Sequence, residues 1–452
     1  MTTEKTAEKK LPGWKRTYGW WAIVPSVSIN CWIGYGMWYT SFGPMLTTLV
    51  KVFGITRGAA NMAFSIGSLS CIVGPALGAF MDRVGYRKAV ICAVIVMMIG
   101  ALFIAFSAPP HYWMIFVAYI LLQAPGLNIP TYGGATKTVN YWFLKRRGLV
   151  TGIVTAFTGF VYMSATFEGI FLTQFGIPGA AWYIFGLGIP MLLLTIFVLK
   201  DKASDMGVGL DCTPLPAKAV TDGGQKEPAK PAAKGKKVKF VAQLTAGQAL
   251  RHPSLWFYVI SYAFLVTIAN LFIVGNYVAF LQGFGMSVVA AGLIWGMMGI
   301  CGIPARFVWG PLMDIFGRGS ERWLFALAEI MLVVGVFGLF MVKGPDDFFW
   351  VWWWTVWWGL GWGGCMTAQL QLIGTYYGPA AYGSIFGIRG AVWALGGFIG
   401  PMLAGFTYDA TGSYAFGLQV LMVLIVIAVI LMLLAAPPKV GPDGKLLAKA
   451  KA

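Results

Sequence analysis

Twelve runs of roughly twenty apolar residues, separated by short polar segments, make up most of this chain. They lie at about Tyr18–Val50, Gly58–Met81, Ala89–Phe106, Tyr112–Thr136, Gly148–Leu172 and Ala181–Leu199. After a long polar stretch they resume at Ser254–Leu281, Val288–Leu312, Trp323–Val342, Phe348–Ile373, Gly383–Thr407 and Tyr414–Leu434. A backbone inside hydrocarbon has to satisfy its own hydrogen bonds, so the expected conformation of such runs is the membrane-spanning helix. The composition agrees: 58% of the 452 residues are hydrophobic and 11% charged. Mean hydropathy is +0.73, and soluble domains carry about 25% charged residues.

The formal net charge of +17 would suit a nucleic-acid partner if the basic residues formed one patch, but they do not. Lys9, Lys10, Lys15 and Arg16; Arg83, Arg87 and Lys88; Lys145, Arg146 and Arg147; Arg318 and Arg322; and Lys445, Lys449 and Lys451 all fall on one side of a twelve-span arrangement, with the central polar stretch. By the positive-inside rule that side, with both termini, is expected to be cytoplasmic. Orientation in a lipid bilayer explains the charge, and no nucleic-acid partner is expected. Lys51 and Arg57 fall on the opposite side, against the rule. The stretch from Asp201 to Phe240 is rich in Pro, Ala, Gly and Lys and has little to bury. Six cysteines occur singly, without a Cys-x-x-Cys pair, and Met1–Arg16 lacks a signal-peptide pattern. Phosphate-loop, His-Glu-x-x-His and Cys/His ligand motifs are absent from the sequence, so neither an enzyme nor a cofactor or metal is expected.

One pattern occurs twice. Gly78-Ala-Phe-Met-Asp82-Arg83-Val-Gly85-Tyr-Arg87 follows the second span, and Gly310-Pro-Leu-Met-Asp314-Ile-Phe-Gly317-Arg318 follows the eighth, with the same Gly-to-Asp and Asp-to-Gly spacings. The chain therefore reads as two copies of one six-helix unit. The pattern resembles the cytoplasmic loop signature of the major facilitator superfamily, Gly-x-x-x-Asp-Arg-x-Gly-Arg-Arg/Lys. Tyr141-Trp-Phe-Leu-Lys-Arg-Arg-Gly148 and Phe398-Ile-Gly-Pro401 through Tyr414 are similar to its monocarboxylate and oxalate:formate exchanger branch. The implied fold is an all-α membrane protein, twelve transmembrane helices arranged as two six-helix pseudo-symmetric bundles. The expected parts are a cytoplasmic tail 1–17, a first bundle 18–199, a largely disordered cytoplasmic linker 200–250, a second bundle 251–436 and a cytoplasmic tail 437–452. Asp82, Arg83, Arg87, Asp314 and Arg318 would then latch and release neighbouring helix ends between conformations.

Two arginines interrupt the apolar runs. Arg306 and Arg389 each lie about 12 Å in from the loop end of their helices. A guanidinium keeps its charge and is costly in hydrocarbon, so such a residue signals a function by default. In the oxalate:formate type, the resemblance implies substrate cations on helices eight and eleven, an arginine and then a lysine. Arg306 matches the first and Arg389 stands where the lysine would be. The expectation is a central site in which both face a small organic carboxylate, completed by Tyr35, Tyr132, Asn276 and Gln369 from span centres. The competing reading pairs an arginine with Glu329 in the ninth span. With no acidic residue central in spans one, four, seven or ten, exchange of one anion for another is the simpler mechanism. Proton-coupled monocarboxylate symport through Glu329 or Glu168 is the alternative, and a multidrug exporter or a non-transporting sensor ranks lower. A monomer in a bacterial inner membrane completes the expectation.

Overall fold

A computed structural model of the chain describes residues 12–143, 147–213, 244–265, 270–317 and 319–440. The twelve spans are α1 (13–53), α2 (57–84), α3 (Tyr86–Ala105), α4 (113–142), α5 (147–175), α6 (177–198), α7 (253–265 and 270–283), α8 (Val288–Phe316), α9 (Ser320–Met341), α10 (Phe348–Tyr377), α11 (Pro379–Thr411) and α12 (Ala415–Leu434). Most of the expected tails and linker (1–11, 214–243 and 441–452) lies outside the described residues.

The duplicated motif produces the same local structure twice. A hydroxyl caps the start of each helix that leads into it: Thr56 accepts from the Ala59 amide and Ser287 from the Ala290 amide. Each helix ends on a glycine with positive φ, Gly85 at +88° and Gly317 at +80°. Those glycine amides donate to Met81 and Met313 four residues back. A side chain would be strained at either position, which is why both copies keep glycine.

Between α5 and α6 the sequence suggests a loop over about 173–180, but the chain turns more sharply. Gly176, at φ +66°, breaks the helix, and Pro178 follows it. The two helices then pack so closely that a Cβ on Gly179 would lie 2.5 Å from the Phe171 carbonyl oxygen.

The two bundles meet through small residues. A Cβ added to Gly299 of α8 would lie 2.1 Å from the Gly159 oxygen of α5, and one on Gly405 of α11 would lie 2.7 Å from the Gly58 Cα of α2. In lipid, where the tails are as apolar as leucine, close backbone approach of this kind is a main source of helix association. Farther along the same helices the contact is lost. Gly74 and Gly78 of α2, and Gly387 and Gly390 of α11, have no neighbour within 4 Å of an added Cβ. Helices α2 and α11 therefore touch near Gly58 and diverge toward the end that carries Gly85 and the basic loops.

The first residues after α6 pack against that basic end. Lys15 Nζ donates to the Met206 carbonyl at 2.9 Å, and the Gly19 amide donates to Cys212 Sγ at 3.3 Å. Val208 is fully buried. Burial also pushes the Cys212 thiol above its usual pKa, against the opposing effect of the Gly19 amide.

Candidate substrate-binding cavity

A cavity of about 410 Å³ lies between the bundles where α2 and α11 diverge, and both Arg306 and Arg389 line it. The two bundles line it differently. From the first, Tyr35, Gly78 and Met81 come from regular helix, but several wall residues sit where a helix loses its α-regularity: Tyr39 in the turn 39–41, Cys71 in the 3-10 segment Leu69–Val73, Asn128 and Thr131 in the turn 128–131, and Thr158 in the 3-10 segment Thr158–Met163. From the second they come from the continuous helices α8, α10 and α11.

Arg389 is oriented by its own bundle. Its Nε donates to Gln369 Oε1 at 2.7 Å, and its guanidinium carbon lies 4.8 Å from the Tyr262 ring centre and 4.9 Å from that of Phe386. The aromatic faces offset part of the desolvation of the cation. Gln369 is itself 1% exposed and donates back to the Met366 carbonyl. It is therefore a support for Arg389 and is not part of the wall.

Arg306 reaches across to the other bundle. Its Nη1 donates to the Thr155 carbonyl and to Thr158 Oγ1, both on α5. That contact falls where α5 changes from α to 3-10 geometry, a place where a main-chain carbonyl can accept from outside its own helix.

Of the other expected residues, Tyr35 lines the cavity and packs edge-on against Tyr39, at 5.7 Å between ring centres. Tyr39 in turn stacks on Trp393 of α11, at 6.3 Å. Asn276 is elsewhere: its Oδ1 accepts from Asn61 Nδ2 at 3.1 Å and from the Tyr414 hydroxyl at 3.3 Å. Its amide bridges α2, α7 and α12, so it is a packing residue. The side chains of Tyr132, Asp82 and Asp314, and all of Arg318, lie outside the described residues.

Glu329 does not take the place the competing reading gave it. It is fully buried, and its Oε1 accepts from Ser261 Oγ at 2.8 Å while Oε2 has no hydrogen-bond partner. Glu168 on α5 is also fully buried, with neither carboxyl oxygen hydrogen-bonded. Neither lines the cavity.

At the basic end, Arg83 is exposed, whereas Arg87 ties three segments together. Its amide donates to Asp201 Oδ1 at 2.6 Å, and its guanidinium donates to the Thr195 and Ile196 carbonyls in the last turn of α6. A cation there complements the negative end of the helix dipole. In the second bundle Arg322 does the equivalent, donating to the Leu433 carbonyl at the end of α12. Sequence reading gave Arg322 only a charge role and missed Thr158, Tyr162 and Trp393 on the wall. For Thr158 a signal existed, because Thr155 and Thr158 are three residues apart and share a helix face.

Comparison with known proteins supports this architecture. A bacterial homolog to the human lysosomal transporter Spinster, solved in an inward-facing and unoccupied conformation, superposes with a TM-score of 0.65 over 94% of this chain and 98% of that one, at 14% identity. A protein of Agrobacterium vitis named as a tartrate transporter is 25% identical over 318 residues, covering 68% of this chain and just under two thirds (66%) of that protein. The oxalate:formate antiporter of Oxalobacter formigenes is 22% identical over 409 residues, 85% of each chain. Human monocarboxylate transporter 14 is 27% identical over 159 residues, 35% of this chain and 30% of that one. The family model of the Major Facilitator Superfamily matches residues 28–401. With twelve helices in two bundles around one cavity and that match over most of its length, this multi-pass membrane protein belongs to the major facilitator superfamily, a family of transporters and not of enzymes.

Proposed function

We propose that this protein exchanges small organic carboxylate anions across a membrane by alternating access, with Arg306 and Arg389 holding the substrate. The observation that carries the reading is that both guanidiniums line one cavity between the bundles, with no Asp or Glu beside them among its described lining residues. Two cations at one site favour an anion between them, and a guanidinium binds a carboxylate through two parallel hydrogen bonds. Relatives named for tartrate, monocarboxylate and oxalate:formate transport support the substrate class. The basic end, with both termini, faces the cytoplasm, so the conformation described here is inward-facing. The membrane is a bacterial inner membrane, and the working unit is a monomer whose moving bodies are 18–199 and 251–436. Closure around an empty site that holds two cations is opposed by their desolvation, and a bound anion offsets that cost.

Counterflow in proteoliposomes tests this: external labelled oxalate, tartrate or lactate accumulates only against internal unlabelled acid. Arg306→Ala and Arg389→Ala should each lower the rate at least about 100-fold, since removing a charged partner from a buried site costs several kcal/mol. Normal transport by both variants would sink the assignment. One observation favours a second reading, proton-coupled monocarboxylate uptake: Glu168 is buried without a hydrogen-bond partner. Uptake driven by an inward proton gradient into vesicles without internal acid, and lost in Glu168→Gln, would establish it instead.

A further inference from the structure

The guanidinium of Arg306 has two sides in different circumstances. Nη1 donates to the Thr155 carbonyl and Thr158 Oγ1 of the opposite bundle, whereas Nε is buried and has no hydrogen-bond partner. A charged donor left unpaired in an apolar surround is costly, and in native proteins such an orphan calls for an explanation. Nη2 is neither hydrogen-bonded among the described residues nor buried, so it is the nitrogen open to the cavity that Arg306 lines.

Thr158 is built to hold the other side. Its hydroxyl donates to the Thr155 carbonyl at 2.6 Å, which turns the lone pairs of Oγ1 toward Arg306. The next residue, Gly159, brings α8 close: a Cβ there would meet the Ile303 side chain at 2.6 Å and the Gly299 oxygen at 2.8 Å. Arg306 lies one turn beyond Ile303, so its side chain reaches α5 where that helix changes to 3-10 geometry.

We infer that Thr158 is the positioning residue for Arg306: by fixing Nη1 on the first bundle it holds the guanidinium with Nη2 left for the substrate carboxylate. This rests on the carboxylate reading of the cavity and adds to it how the anion is engaged. Arg389 has its Nε on Gln369 of its own bundle. Arg389 is thus tied within one bundle, whereas a bound acid is linked through Arg306 to both bundles at once. A lysine at 306 has one ammonium to divide between α5 and the ligand, so charge alone does not replace this arginine.

The test uses the full-length protein in nanodiscs and proteoliposomes with oxalate, L-tartrate and L-lactate as probes. Thr158→Val keeps the shape and removes the acceptor. It should raise Kd and KM for the bound acid by about ten- to a hundredfold, with kcat and Tm close to wild type. Thr158→Ser should return both to within about threefold, and Arg306→Lys should lose at least as much as Thr158→Val. Wild-type Kd and KM in Thr158→Val would overturn the inference and leave the carboxylate reading standing. Equal losses in the Val and Ser variants with a lowered Tm in both would also overturn it, by showing a packing role. No thermal shift and no exchange of any of the three acids by wild type would overturn the carboxylate reading, and this inference with it.

Discussion

Asp409, in the last turn of α11, caps the first turn of α2 at Arg57: its Oδ1 accepts from the Arg57 amide at 3.0 Å and its Oδ2 from the Gly58 amide at 2.7 Å. The free N–H groups of one bundle are thus satisfied by a carboxylate of the other. The Arg57 side chain adds to the junction, lying 3.6 Å from the Tyr408 ring centre and donating to the Tyr414 hydroxyl at 2.8 Å. Arg57, an exception to the charge rule in the sequence, is held there by aromatic and hydroxyl partners.

If this junction keeps the far end of the bundles closed, Asp409→Ala should shift the conformational equilibrium. Losing a cap costs about 1–2 kcal/mol, or roughly a five- to thirtyfold change in the population ratio. Spin-label distances across α2 and α11 at that end should broaden toward longer values. An unchanged distribution would mean that the small-residue contacts suffice.

Gln369→Leu removes the acceptor on Arg389 Nε while keeping the helix apolar. The arginine keeps its charge and loses its orientation, so KM for the exchanged acid should rise about tenfold with kcat little changed. A drop in kcat at constant KM would place Gln369 in the conformational step.

The glycines along α2 and α11 separate binding from movement. Gly78 faces open space here, so a larger side chain fits this conformation, but it would obstruct any approach of α11 at that level. Gly78 is on the cavity wall, so Gly78→Leu should keep the fold and measurable substrate binding, and lose exchange far more than affinity. Gly299→Leu should instead destabilise the protein by about 1–3 kcal/mol or more, because its side chain would meet the Gly159 main chain.

Cys212 reports on the segment packed over the basic end. Its thiol is buried and its pKa raised by that burial, so thiolate is scarce at neutral pH and grows as pH rises toward the raised value. Maleimide labelling should be slow at pH 7, faster at pH 9, and accelerated at both by Lys15→Ala, which removes the donor to the Met206 carbonyl. Equal rates in the two proteins would show that this contact does not hold the segment down.

The helices and their duplication were legible because lipid dictates span length and because Gly85 and Gly317 must adopt positive φ. Arg306 and Arg389 stood out through the cost of charge in hydrocarbon. What could not be read was the face each polar residue presents. Asn276 and Tyr35 are both mid-span, yet α7 is apolar nearly all round, so the sequence carries no stripe to show which side looks inward. The tether of Arg306 was hidden for another reason: its acceptor includes a main-chain carbonyl at a change of helix type, which no side-chain pattern encodes.

An irregular point in each of α1, α2, α4 and α5 supplies a wall residue of the cavity, while α8, α10 and α11 run past it unbroken. Mechanically, one half is a hinge-bearing jaw and the other a stiff anvil that carries the charge. A change of cargo could then arise by reshaping the jaw alone, with the two arginines left where they are.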